Sequence, residues 1–364
     1  MKNKILIFIE FPLTKRDYYR FGINQLSNLF QIIIIDFTYF NNVVFKNKKY
    51  KEYNPNNIEY TKLNNFSDYL SILKKNKNIK CIDFLNDNIR NKILRFVSSI
   101  YKLKLIRTSH GVIPIDERNN KIKVFLRKLF YEHSSYYIYS ISCLKAKNLV
   151  TQYKIYSHTF DYDIYLKNNI DLSKQDAYRN IVFIDQNLPN NTDFIFNKSS
   201  TVSESNYYSE VYSFLKKMSQ DNKDIKINIA LHPKTDDFII KKYFISFFQA
   251  KNKTIQMIKN SDLVITHYST ALNFAYLYNK PILIIYTDEM KKKKFYKNFL
   301  LPCAEQIGQE PYNISKNKNL NIENYLNNYS ISYSNYINNY IKHPLSENMN
   351  SWEILSNFIL KNNL

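Results

Sequence analysis

NSDLVITHYSTALNFAYLYNKPILIIYTDE, residues 260–289, decides how the chain folds. DLVITH reads as a buried strand, STALNFAYLYN as a helix, and PILIIYT as a second strand. The same alternation runs upstream of it. IVFIDQ is a strand and SEVYSFLKKMSQ a helix; IKINIALHP is a strand, and helices follow KTDD and span TIQMIKN. Strands alternating with helices in this way predict a parallel sheet.

The amino-terminal half repeats that grammar. KILIFIEF is a strand, about Tyr18 to Phe30 a helix, and QIIIIDF a strand, so residues 1–37 form one βαβ unit. After a basic loop, KNKKYKEYNPNN, come a helix near FSDYLSILKKN, the strand IKCIDFL, the helix DNIRNKILRFVSSIYK, and the strand LKLIRTSHG. Helix and strand segments over 124–165 close this part, and the polar LKNNIDLSKQDAYRN reads as a linker. From about Asn321 the chain is helical and amphipathic, with His343-Pro344 a turn between helices. The expectation is α/β, with two Rossmann-like domains facing a central cleft: 1–168, 178–345, and a C-terminal helix over 346–364. In open parallel sheets ligands sit beyond the carboxyl ends of the strands.

Composition narrows the chemistry. The 364 residues are 45% hydrophobic and 16% aromatic, which is the make-up of a globular chain and not a disordered one. Glycine occurs three times, at Gly22, Gly111 and Gly308. P-loops and the G-x-G-x-x-G turn need several glycines together so that backbone can approach phosphate, so both are excluded. Fifty-two Lys plus Arg against 31 Asp plus Glu give a formal charge of +21, which favours anionic partners. The abundance of Lys, Asn, Ile and Tyr together equally fits AT-rich codon usage. Cys81, Cys143 and Cys303 lie far apart, show no metal-type spacing, and suit a reduced, cytoplasmic setting. The opening MKNKILIFIEF contains Glu10 and lacks a cleavage site, so it reads as a first strand and not a signal peptide. No stretch reaches the roughly 20 apolar residues of a membrane span. The lysine runs FKNKKYK and MKKKKFYKNF interleave Phe and Tyr, a pattern that fits peripheral contact with an acidic membrane surface. No RNA-binding signature accompanies them, and nucleic acid is not the expected partner.

Three polar clusters fall at the carboxyl ends of strands in the second half: Asp185-Gln186, His232-Pro233-Lys234, and His267-Tyr268-Ser269-Thr270. Ser269 and Thr270 open a helix, where free N–H groups and the dipole favour an anion; helix capping alone is the plainer role. His232 can hydrogen-bond a phosphate or protonate a leaving one. No Cys/His cluster has zinc spacing and no D-x-D suggests a metal-dependent sugar-nucleotide site, so no metal and no cofactor is expected.

ALHPK and NSDLVITHYSTALNFAYLYNKPILIIYTDE together resemble the donor half of GT-B glycosyltransferases that use cytidine nucleotides. Bacterial sialyltransferases and polysialyltransferases carry an HP motif followed by a Ser/Thr motif at comparable spacing. FIDQNLP, residues 183–189, is similar to the strand opening their donor domain. RTSHGVIP, residues 107–114, and HYSTALNFAYL also resemble CDP-glycerol glycerophosphotransferases. The resemblance implies a CMP-sugar co-substrate, with His232, Ser269 and Thr270 on the phosphate and ribose side and Lys234 adding charge. It also implies a first domain that binds an oligosaccharide or lipid-linked glycan acceptor, and a C-terminal helix packing back onto that domain. The (D/E)(D/E)G base motif of the sialyltransferases is absent; Ser109-His110-Gly111 stands nearest to it, which makes His110 the expected base and Glu10 the fallback carboxylate. The expected activity is metal-independent transfer of a sialic-acid-like or Kdo sugar to a capsule or lipopolysaccharide glycan. The alternatives are a CDP-glycerol or CDP-ribitol type polyol phosphotransferase, and a non-catalytic basic protein on the same scaffold that binds membrane or RNA.

Overall fold

The computed structural model describes residues 2–41, 53–55, 58–109, 111–112, 114, 136–147, 149–168, 178–190, 201–316, 320–326 and 333–362. The chain divides into two compact units. One comprises Met1–Val112, Asn120–Leu166 and Asn338–Leu364; the other comprises Ile113–Asn119 and Lys167–Ile337.

The first unit is built on seven parallel strands: β1 (Lys4–Ile9), β2 (Gln31–Asp36), β3 (Glu59–Lys62), β4 (Lys80–Asp83), β5 (Lys104–Thr108), β6 (Tyr136–Ile141) and β7 (Thr151–Tyr156). Their order across the sheet is β3-β2-β1-β4-β5-β6-β7. Side chains alternate between sheet faces, so an unbroken apolar run must be covered on both sides. Ile5, Ile7, Ile9, Ile32 and Ile34 face one core, shared with Ile23 and Leu26 of the helix Ile23–Leu29. Leu6, Phe8, Ile33 and Ile35 face the other, shared with Tyr69, Leu73 and Leu94 of the helices Phe66–Lys75 and Ile89–Ile100.

The C-terminal segment belongs to this unit from Asn338, ahead of the boundary at 345 read from sequence. Thr159 N–H donates to Ile341 O (2.8 Å) and His343 N–H to Ser157 O (3.1 Å). His343-Pro344 stands at a turn closed by Ser346 N–H to His343 O, 2.9 Å. The helix Ser351–Lys361 then lays Trp352, Leu355 and Ile359 into the first core. Gly22 makes room for it. Its φ is +62°, and a Cβ there would lie 2.1 Å from Trp352 Cγ.

The second unit has six parallel strands: β8 (Arg179–Ile184), β9 (Ile225–Leu231), β10 (Phe248–Lys251), β11 (Leu263–Thr266), β12 (Ile282–Tyr286) and β13 (Tyr312–Asn313). Their order is β10-β9-β8-β11-β12-β13. The helix Glu204–Asp221 covers the sheet with Tyr207, Val211, Phe214, Leu215 and Met218, the spacing of one helical face. β3, β10 and β13 have no counterpart in the sequence reading. All three are short sheet edges, paired to a neighbouring strand on one side only, and their sequences carry no apolar run.

Candidate functional site

The order of the second sheet fixes where a ligand would sit. From β8 the chain winds outward through β9 to β10, then returns to the other flank of β8 as β11. Between β8 and β11 the strand order reverses, and ligands of open parallel sheets bind at the carboxyl ends of strands flanking such a reversal. The loops leaving β8, β9 and β11 carry Asp185-Gln186, His232-Pro233-Lys234 and His267 to Thr270. Ile184 pairs with Ala230, and Phe183 with Ile265, so the three loops leave the sheet at nearly the same level. Neighbouring strands lie about 4.8 Å apart, which spreads the three loops over about 10 Å.

Buried side chains tie the loops together. Asp185, 3% exposed, accepts from Asn187 N–H (3.0 Å), from Thr235 Oγ1–H (2.5 Å) and from His232 N–H (3.4 Å). Burial raises its carboxyl pKa, and those hydrogen bonds oppose the rise. Gln186 Oε1 accepts from Tyr268 N–H at 2.9 Å, joining the β8 loop to the β11 loop. Asn187, at φ 47°, donates to Lys234 O (3.3 Å) and accepts from Tyr208 Oη–H (3.0 Å). Asp185 and Gln186, expected as nucleotide contacts, use these oxygens to join the loops. Asn187, Thr235 and Tyr208 were not legible as site residues, because nothing local in sequence marks a brace.

His232 is half-buried at the tip of β9, and Pro233 follows it, exposed, where the ladder ends. Its Nδ1 accepts the Lys234 N–H at 3.2 Å, which places the neutral ring's proton on Nε2. Burial lowers the His232 pKa, partly offset by Asp185, and Lys234 lowers it further. The imidazole thus stands as a neutral donor at pH 7, with no protein partner for Nε2 among the described residues.

The β11 loop departs from expectation in two ways. The helix begins at Leu272, not at Ser269, and its first bonds are of the tighter kind, Leu272 N–H to Ser269 O (3.0 Å) and Asn273 N–H to Thr270 O (3.2 Å). Ser269 Oγ accepts from Ala271 N–H (3.2 Å), while the N–H groups of Ser269 and Thr270 have no protein partner among the described residues. His267 does not face a ligand. It is fully buried, donates from Nδ1 to Ile285 O (2.7 Å), and accepts from Tyr207 Oη–H at Nε2 (2.9 Å). Burial lowers its pKa to about 4, so it is a neutral strut between β11, β12 and the long helix.

Of the first-unit candidates, His110 lies outside the described residues. Its neighbour Ser109 is held by Ser142, Oγ to Oγ at 2.6 Å and Ser142 N–H to Ser109 Oγ at 2.8 Å. Glu10 is 5% exposed and accepts from Asn86 N–H (2.8 Å), Asn91 Nδ2 (3.1 Å) and Asn88 Nδ2 (3.3 Å). A carboxylate so engaged pins the loop after β4. The aromatics of MKKKKFYKNF also change meaning. Phe295 and Tyr296 are buried, and Tyr268 of the site loop stacks on Phe299 with ring centroids 5.6 Å apart. Phe295 and Phe299 thus pack against the β11 loop, and Tyr296 against Tyr286; FKNKKYK lies outside the described residues. No helix among the described residues is long and apolar enough to cross a membrane.

No protein-family model matches the sequence, and no curated protein matches it. Solved structures do match over essentially the whole chain. UDP-GlcNAc 2-epimerase from Neisseria meningitidis bound to UDP-GlcNAc aligns with a TM-score of 0.53 at 11% identity, covering 100% of each chain. The S. aureus MnaA–UDP co-structure gives 0.52 at 10% identity, covering 100% of this chain and 98% of the other. A variant of the wall teichoic acid polymerase TagF gives 0.50 at 10% identity, covering 99% and 89%. With two parallel-sheet α/β units and C-terminal helices, the chain has the GT-B fold.

Proposed function

We propose that this protein is a GT-B transferase acting on a nucleotide-activated donor, whose phosphate binds at the β8/β11 switch point. One observation carries the reading: His232 Nε2–H and the N–H groups of Ser269 and Thr270 stand without protein partners on braced loops at that point. Donors held in place before the ligand arrives can stabilise negative charge on a departing nucleotide, with no metal required by the reading. Lys234 adds positive charge beside them. The HP and Ser/Thr motifs favour a cytidine nucleotide, and a CMP-activated sialic-acid-like or Kdo sugar is the donor we favour, passed to a cell-surface glycan. RTSHGVIP and HYSTALNFAYL favour the second reading, a CDP-polyol phosphotransferase.

Release of nucleotide from CMP-N-acetylneuraminate, CMP-Kdo, CDP-glycerol and UDP-GlcNAc separates these readings. Turnover of a CMP-sugar supports the first, and turnover of CDP-glycerol alone supports the second. Binding of none of the four, with tight binding of RNA or acidic vesicles, overturns the transferase reading.

A further inference from the structure

The first unit holds a small polar pocket of about 20 Å³ at the carboxyl ends of β5, β6 and β7. A water needs about 10–15 Å³ measured this way, so the space takes one small group with the rest of a ligand outside. Thr108 ends β5, Ser140 stands one residue before the end of β6, and Ser157 follows β7. Ser140 and Ser157 are 4% and 2% exposed, yet neither hydroxyl has a protein partner among the described residues. The buried Thr108 Oγ1 has none either. Buried hydroxyls are normally hydrogen-bonded, and three gathered in one pocket without partners are spare valences turned toward a ligand.

Charge says which ligand. Arg20, half-buried and with no carboxylate partner among the described residues, also lines the pocket. No acidic side chain lines the cavity. The nearby Asp163 is occupied: it holds His158 Nε2 (3.0 Å), Ser351 N–H (2.7 Å) and Ser351 Oγ–H (2.5 Å). A guanidinium with converging hydroxyls and no anion of its own matches phosphate or carboxylate geometry. Trp352 forms one wall, its Nε1–H bound to Arg20 O at 3.0 Å, which fixes the indole to the end of the helix Lys15–Arg20.

We propose that this pocket is an oxyanion site, binding the phosphate or carboxylate group of a ligand through Arg20 and the hydroxyls of Thr108, Ser140 and Ser157. The proposal is independent of the nucleotide site in the other unit. Trp352 is the chain's single tryptophan and forms a wall of this pocket, so its fluorescence reads that wall. The full-length protein is titrated with inorganic phosphate, glucose 1-phosphate and glucuronate at ionic strength held constant with chloride. A saturable change in emission is expected, with a midpoint at least tenfold weaker in Arg20→Gln and intermediate in Arg20→Lys. Lys75→Gln, an equal charge change on an exposed surface, is expected to leave the midpoint unchanged. A response to the two phosphates alone assigns a phosphate ligand, and a response to glucuronate alone assigns a carboxylate. Silence toward all three overturns the proposal, as does an equal midpoint in Arg20→Gln and the parent. Ser140→Ala combined with Ser157→Ala provides a second, uncharged test, and an unchanged midpoint there overturns the hydroxyls' part.

Discussion

A histidine is useful as a donor at neutral pH only if its proton is on the right nitrogen, and at His232 the backbone of Lys234 decides which. Hydrogen bonds to charged groups are worth about 1.5–3 kcal/mol, so His232→Ala is expected to weaken cytidine nucleotide binding by about 10- to 100-fold in calorimetry. The circular dichroism spectrum should stay the same. His267 makes the opposite prediction, one of stability and not of binding. Its folded pKa of about 4 lies below the unfolded value near 6.5, so between those pH values the unfolded chain binds the extra proton. Stability therefore rises with pH through this window and is lost as pH falls from 6.5 toward 4, by about 3 kcal/mol from this residue. Urea midpoints measured from pH 7 to pH 4 should fall less steeply in His267→Gln than in the parent. Parallel curves would mean His267 is not the buried neutral strut described here.

At the scale of elements, the C-terminal helix and the Gly22 turn are one device. Trp352 occupies the space a Cβ on Gly22 would need, and the left-handed φ penalises a side chain as well. Gly22→Ala is expected to destabilise the first unit by about 3 kcal/mol in denaturant unfolding, combining overpacking with backbone strain. A change under about 0.5 kcal/mol would show that the helix docks without needing this contact. Central elements were legible from sequence because buried parallel strands such as KILIFI and QIIIID are apolar on both faces. The edges β3 and β10 were not, since EYTK and FQAK carry no such signal. The polar clusters of the second unit were legible by position, at strand ends. Their division of labour was not. Whether Asp185, Gln186 and Glu10 meet a ligand or hold a loop depends on N–H groups of residues 2 to 82 positions away, such as the Tyr268 N–H on Gln186.

For the molecule as a whole, the formal charge of +21 draws any anion weakly toward the surface, so affinity alone cannot identify a site. Location can. At 0.15 M salt the screening length is about 8 Å, which suppresses diffuse binding and leaves braced sites in view. Nucleotide at 100 times its dissociation constant should add about 2.7 kcal/mol to the stability of whatever it binds. Amide hydrogen exchange of the full-length protein with and without saturating CMP, in 0.15 M salt, is the most direct measurement. The account predicts slowed exchange in three segments, 185–190, 232–235 and 267–273, and loss of that protection in His232→Ala. Protection confined to other segments, or none with a nucleotide that is demonstrably turned over, would contradict the placement of the donor site at the β8/β11 switch point.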